Sequence, residues 1–524
     1  MKILLFALNA AYIHTNLAVR QIASCLQKRG FHAQILERNL KDKRNAVLED
    51  LVSADDDVYG FSVYIWNADE MFRHAASLKK LRPGCRIIFG GPEVSFPEED
   101  FFETHPYIDH VICGEGETAF CDLCQGSTDS RIVTGKPYED FIHSGILYQS
   151  CPTASVLYYE SSRGCPFRCG YCLSSLSDRV RAKTVEKTLS DLRDFERFAG
   201  QARIIKFIDR TFNFDIARAN RIWRALADDS SFTMQYHFEI CADLLNEESF
   251  SILSDMPKGK IQLEIGVQSI HEETLSMCGR KTDTKLVLRN LERLYKLGNM
   301  HIHADLIAGL PAENYTAFGQ SFDALAGRCH MLQLGFLKLL RGSRLRSSAQ
   351  ENGTLFEDNP PYTVLQTRWM SYADLCALHR LDAVCDRILN SGHFSNAVTQ
   401  VLKITDSPFA FFSGLADRFG SDLSSHSQAA VFAEFAQYAD NELPQGNIRE
   451  YLILDWLLHE NKSCPAQLDD PGPYSPSPTE IEKIPCTEES RFSPKKSHDI
   501  TYRKFSSGLY EIDRKNGNCI VIAL

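Results

Sequence analysis

Along the first 130 residues, short apolar runs alternate with stretches whose apolar positions recur every three or four residues. The runs at 2–8, 32–37, 58–65, 86–91 and 110–115 predict strands, and the amphipathic stretches at 17–28 and 68–81 predict helices between them. This alternation predicts an α/β domain over residues 1–140, a doubly wound, Rossmann-like parallel sheet that takes ligands beyond the carboxyl ends of its strands. From 151 to 345 the strand–helix pattern recurs, with strands predicted at 155–161, 204–209, 235–241, 261–268, 301–308 and 332–339 and helices such as 284–297 among them. Six such units fall short of a closed eightfold barrel, so a partial (β/α)6 barrel of TIM type is expected, with its chemistry at the strand carboxyl ends. Residues 346–524 form a third, mainly helical region. Helical periodicity runs over 362–460, a Pro- and Ser-rich linker over 464–497, and a terminal β-hairpin turns at Asn516-Gly517.

Composition narrows the class. At 524 residues the chain is long enough for two or three domains, each with its own core. No apolar run reaches the length a bilayer span needs. The opening MKILLFALNAAYIHTN reads as a first strand rather than a secretory signal, because its apolar run at 3–8 gives way to Asn9 and His14. Seventeen cysteines, odd in number and scattered, fit a reduced cytoplasmic protein whose thiols are mostly small buried hydrophobes, not a secreted disulfide scaffold. A net charge of −11 without a long basic tract argues against nucleic acid as the main partner.

The stretch SSRGCPFRCGYCLSS at 161–175 places Cys165, Cys169 and Cys172 within eight residues, directly after the first barrel strand. Zinc usually takes four ligands, a disulfide two and a lone nucleophile one. Three thiolates on a tight loop can hold three corners of a cubic iron–sulfur cluster and leave the fourth iron open to a substrate or cofactor. Zinc with Cys151 as a fourth ligand, and buried unligated thiols, are the competing readings. Gly164, Pro166 and Gly170 make the stretch a loop rather than a core element.

The spacing C-x3-C-x2-C, with Tyr171 before the third cysteine, resembles the radical S-adenosylmethionine superfamily. The resemblance implies a 4Fe-4S cluster on Cys165, Cys169 and Cys172, S-adenosylmethionine chelated to the unique iron, its reductive cleavage to a 5′-deoxyadenosyl radical, and Tyr171 packed near the adenine. Other strand ends fit. IKFIDRTFN aims Asp209, Thr211 and Asn213 at the barrel mouth, where the carboxylate could contact a cofactor or substrate, or cap a loop. FEICADLL sets Glu239 and Asp243 at the third strand. LEIGVQSIHEETL, with Glu264 and Gly266 ahead of Gln268 and Ser269, resembles the family stretch that contacts the cofactor's ribose and carboxylate. ADLIAGLPAEN resembles the pattern G-x-I-x-G-x-x-E through Ile307, Gly309 and Glu313, whose backbone supports adenine in the family. Asp305 stands at its first glycine position, and Ala312 where relatives often have Gly.

The domain ahead of the barrel resembles the cobalamin-binding module often fused to this superfamily, through GFSVYIWN, IIFGGPEVSF and VICGEGETAF. By that resemblance Ser62 and Tyr64 contact the ligand, and Gly90 and Gly91 admit its flat edge by lacking side chains. Gly114 and Glu115, in the stretch 114–117 ahead of a helix, could offer backbone N–H groups. Many such modules carry Asp-x-His-x-x-Gly, whose histidine ligates cobalt. Here NAAYIHTNLAV keeps His14 but replaces the Asp and Gly by Tyr12 and Leu17, so the hydrogen bond that would orient the imidazole is missing. Cobalamin bound base-off, with no protein histidine below it, is expected; His14 as a ligand and a purely structural domain are the alternatives.

The expectation is a cobalamin-dependent radical S-adenosylmethionine enzyme that transfers methyl to an unactivated carbon of a small molecule or peptide. It would be served by an electron donor such as flavodoxin or ferredoxin. Non-methylating cyclisation, rearrangement or oxidation with the same cofactors, an RNA-modifying enzyme, and a cobalamin- or redox-responsive binding protein are the alternatives. Nothing in 346–524 names a substrate.

Overall fold

The computed structural model describes residues 1–139, 155–177, 179–198, 200–460, 463–473, 500–513 and 518–522. The chain divides into two compact units, Met1–Glu313 with Phe336–Ser371, and Asn314–Gly335 with Tyr372–Leu524.

The first unit opens with six strands: β1 (Ile3–Asn9), β2 (Ala33–Asn39), β3 (Val58–Ser62), β4 (Arg86–Gly90), β5 (His110–Cys113) and β6 (Ile132–Thr134). They order β2-β1-β3-β4-β5-β6 with every ladder parallel. Alternation along β1 sends Leu4, Phe6 and Leu8 to one core, with Met71 and Leu78, and Ile3, Leu5 and Ala7 to the other, with Val19, Leu26 and Phe120. A strand buried on both faces therefore reads as an unbroken apolar run. Each such large side chain contributes roughly 1.5–3 kcal/mol on burial. The helix Leu17–Lys28 starts where Asn16 Oδ1 accepts the N–H of Val19 at 3.1 Å. β6 is missed by the hydrophobic pattern because three residues, with Ile132 and Thr134 exposed, are too short to show a period. Strand order reverses between β1 and β3, and the loops after them flank the crevice such sheets use for ligands.

The second sheet contains β7 (Val156–Tyr159), β8 (Ile204–Phe207), β9 (Gln235–Ile240), β10 (Ile261–Gln268), β11 (His301–Ala308) and β12 (Met331–Phe336), in strictly consecutive order. The ladders from β7 to β11 are parallel, as a partial barrel requires. Asp215, Asn246 and Asp283 each accept a backbone N–H and start the helices Ile216–Asp228, Glu247–Ser254 and Thr284–Leu297. β7 ends at Tyr159, two residues earlier than predicted. The chain then leaves the sheet, and Ser162–Arg163 pairs antiparallel with Arg181–Ala182 around the cysteine loop.

The second unit holds the helices Tyr315–Leu325, Tyr372–Val384, Ser395–Ile404, Pro408–Phe419, Gln428–Glu442 and Ile448–His459. Phe394 stacks on Phe432 at 4.2 Å, and Phe432 meets Trp456 edge-on at 5.0 Å. Its sheet has three antiparallel strands, Ile500–Phe505, Gly508–Asp513 and Asn518–Ile522. The last two are the predicted hairpin; its Asn516-Gly517 turn and residues 474–497 of the linker lie outside the described residues. The strand Ile500–Phe505 was not foreseen. Among the described residues, no helix is long and apolar enough to cross a membrane.

Candidate functional site

The cysteine loop is closed by its own backbone. Gly164 holds φ +100°, and a Cβ there would meet the Arg179 carbonyl oxygen at 2.6 Å, so only glycine lets the two arms approach. Cys172 N–H donates to the Cys169 carbonyl at 3.1 Å, and Gly170 N–H to the Cys278 carbonyl at 2.7 Å. Leu345 N–H donates to the Gly170 carbonyl at 2.9 Å, which pins the loop from the other side. Cys169 is buried, while Cys165 and Cys172 are half-buried. Cys165 Sγ lies 3.6 Å from Thr211 Oγ1, and Arg280 Nη1 reaches Cys169 Sγ at 3.8 Å. Burial pushes the Tyr171 hydroxyl and the Cys165 thiol upward in pKa.

Donor spacing tests the metal this loop fits. Sulfurs on one zinc, with bonds of about 2.3 Å, sit about 3.8 Å apart. Among the described residues the trio whose ligand atoms all lie within 4.8 Å is Glu264, His303 and Asp305; the three thiols do not form one. An all-thiol donor set suits an iron–sulfur cluster. Cys151, the fourth ligand in the zinc reading, lies outside the described residues.

The other predicted residues divide by what their side chains touch. Asp209 does not face the mouth. Its buried carboxylate accepts from Ser161 N–H at 2.7 Å and from the Ser161 and Ser162 hydroxyls at 2.6 Å each, tying the end of β8 to the end of β7. Asn213 clamps the Cys241 backbone through bonds of 2.8 and 2.9 Å, and Asp243 accepts from Thr282 and the Asp283 N–H. Ser269 Oγ donates to Glu313 Oε1 at 2.6 Å, joining two predicted residues. Gln268 sits at φ +72° beside a register shift in the β10–β11 ladder. Ala312 sits at φ +60°, the left-handed region that favours the glycine of related sequences. Gly309 holds φ +87°, Ile307 is half-buried on β11, and burial pushes Glu239 up to about 7.

In the first sheet, Asn16 Nδ2 donates to Ser62 Oγ at 3.3 Å, and Tyr64 stacks on the half-exposed Trp66 at 4.3 Å. At Gly90 a Cβ would meet nothing nearer than Ile112 Cβ at 3.9 Å, which leaves that surface open. At Gly91, with φ +118°, a Cβ would lie 2.2 Å from the Val63 carbonyl oxygen, so strand approach alone demands glycine there. Gly114 N–H donates to Ser95 Oγ at 3.3 Å. The Glu115 carboxylate is engaged by Arg181, by Arg163 at 2.7 Å and by the Tyr138 N–H at 2.6 Å. Arg163 also binds Glu117 at 2.9 Å and Glu160 at 2.8 Å, so one guanidinium joins the helix Gly116–Gln125 to the end of β7. His14 Nδ1 lies 2.5 Å from the Tyr158 hydroxyl, and burial, with Lys206 nearby, lowers the imidazole pKa.

Arg163, Arg280 and Tyr158 escape a reading by motif, since each acts through a partner distant in sequence. The polar residues alternating along the barrel strands, His237 and Glu239 or His303 and Asp305, are a signal that sequence does carry.

Three family models match the chain: a B12 binding domain over residues 3–124, the radical SAM superfamily over 159–325, and a family of unknown function, DUF4080, over 350–485. The chain is 27% identical over 312 residues to 2-(S-pantetheinyl)-carbapenam-3-carboxylate methyltransferase of Streptantibioticus cattleyicolor, covering 52% of this chain and 45% of that protein. It is 26% identical over 332 residues to the cobalamin-dependent radical SAM methyltransferase TokK of Streptomyces tokunonensis, covering 56% and 48%. The chain thus spans about half the length of the curated relatives it matches. The structure of the radical S-adenosylmethionine methyltransferase TsrM from Kitasatospora setae, with cobalamin and a 4Fe-4S cluster bound, matches with a TM-score of 0.57 at 15% identity. That match covers 80% of this chain and 98% of TsrM and is a likeness of fold.

Proposed function

Because the chain belongs to the family of radical S-adenosylmethionine enzymes that carry a cobalamin-binding domain, we propose that it transfers a methyl group to an unactivated carbon of a small molecule or peptide. When bound, a 4Fe-4S cluster, S-adenosylmethionine and cobalamin supply the electron, the radical and the methyl group. The protein's part is to hold these groups and exclude water. Cys165, Cys169 and Cys172 hold the cluster, and Arg280 sets a permanent positive charge against the Cys169 sulfur. Tyr171, Gln268, Ser269, Ile307 and Gly309 line the S-adenosylmethionine site, with Ser269 oriented by the buried Glu313. Ser62, Tyr64 and the open surface at Gly90 receive cobalamin at the switch point of the first sheet. An electron donor such as flavodoxin or ferredoxin serves the cluster in the cytoplasm.

The observation that carries this reading is the thiol trio Cys165, Cys169 and Cys172, set on a backbone-closed loop after the first strand of a consecutive parallel sheet. The test is anaerobic purification with cobalamin supplied and the cluster reconstituted, followed by iron, sulfide and cobalt analysis. Cys165→Ala, Cys169→Ala and Cys172→Ala should each lose the iron while the fold persists, and Cys278→Ala should keep it. After reduction, methyl transfer should yield S-adenosylhomocysteine together with 5′-deoxyadenosine. 5′-Deoxyadenosine alone points to a non-methylating reaction, and no cleavage at all removes the reading.

A further inference from the structure

The inner positions of the barrel strands carry polar groups beyond those assigned above. Lys206 on β8, His237 on β9, Glu264 on β10, and His303 and Asp305 on β11 alternate with residues buried in the core. Parallel pairing sets Glu264 beside His303, and Gly266 beside Asp305.

Glu264, His303 and Asp305 each bring a ligand atom within 4.8 Å of the others. His303 Nε2 lies 3.0 Å from Asp305 Oδ1, an ion-pair distance; both atoms are buried, and their approach lacks the alignment of a hydrogen bond. The imidazole is 8% exposed. The oxygen therefore lies off the line along which a ring N–H would point. Two buried donors at that separation, not aimed at each other, match the edge of a coordination octahedron. Bonds of about 2.1 Å give an edge of about 3.0 Å.

Glu264 is braced from outside. Lys206 Nζ donates to its Oε2 at 3.1 Å, and His237 Nε2 approaches the same oxygen at 2.8 Å. Held carboxylates of this kind are what metal ligands need to keep their aim.

We propose that Glu264, His303 and Asp305 bind a first-row divalent cation of the manganese, iron(II) or zinc kind, at a site distinct from the cysteine loop. One imidazole and two carboxylates suit such ions better than calcium or magnesium, whose shells are built from oxygen. The inference does not depend on the proposed methyl transfer.

The test is an anaerobic titration of the full chain with Mn2+, after chelator treatment, reading the free ion by electron paramagnetic resonance. One Mn2+ per chain should bind, and Zn2+ should displace it. His303→Gln and Asp305→Asn should each weaken binding by more than about tenfold, with circular dichroism unchanged and thiol-bound iron retained. A parent protein that takes up no stoichiometric Mn2+, or variants that bind it as tightly as the parent, overturn the assignment. Should His303→Gln not fold, Asp305→Asn alone decides.

Discussion

Arg280 points its guanidinium at Cys169: Nη1 lies 3.8 Å from the sulfur, while Nη2 donates to the Gly266 carbonyl at 2.5 Å. One side chain thus fixes the cysteine loop to β10 and sets a positive charge beside a thiol. A cation next to a metal cluster favours the more negative, reduced state.

Arg280→Gln should accordingly lower the cluster's reduction potential by roughly 50 mV, the one-electron equivalent of about 1.2 kcal/mol. A redox titration of the reconstituted variant reads the shift. Unchanged potential at full iron content would take Arg280 out of the site.

Gly90 and Gly91 are neighbours with opposite constraints. Gly91→Ala should cost roughly 2 kcal/mol or more, because its Cβ collides with the Val63 carbonyl oxygen and φ +118° is strained for any other residue. Gly90→Ala should leave the melting temperature in place, since nothing lies nearer than 3.9 Å. Gly90→Trp should fill the ligand surface and abolish cobalt uptake. Thermal melts with cobalt analysis separate the three, and a Gly90→Trp protein with normal cobalt would disprove the placement.

Asp455 gives a dependence on pH. Its buried carboxyl accepts from the N–H groups of Asn396 at 3.0 Å and Ala397 at 2.9 Å, and from Asn396 Nδ2 at 2.8 Å, at the start of the helix Ser395–Ile404. Burial raises its pKa to about 7, above its unfolded value of about 3.9. The folded state therefore holds the proton more tightly. That stability is fully present below about pH 4 and is lost as pH rises through about 7, at most about 4 kcal/mol. Asp455→Asn cannot titrate, so the parent should weaken relative to the variant between pH 5 and pH 8 in denaturant melts. A difference that stays flat across that range contradicts the shift.

Much of the fold is legible in the chain because its signals are short-range. β1 announces itself as an apolar run, since Leu4, Phe6 and Leu8 fill one core while Ile3, Leu5 and Ala7 fill the other. β6 and the strand Ile500–Phe505 escape. The first is too short for a period, and the second follows a Pro- and Ser-rich stretch and carries the polar run Tyr502, Arg503 and Lys504.

The sequence by itself determined the order of elements, the thiol spacing of Cys165, Cys169 and Cys172, and the candidate positions at the barrel strand ends. These are local patterns, written within a few residues of one another. Only the tertiary structure decided where the side chains go. Asp209 turns to Ser161 and Ser162, Gly91 answers to Val63, and Arg280 meets Cys169 across 111 residues of chain. His303 and Asp305, two apart in sequence, join Glu264 from the neighbouring strand. The physical reason is that a strand end's environment is made by whichever strand arrives beside it, and that neighbour is chosen by packing of the whole sheet.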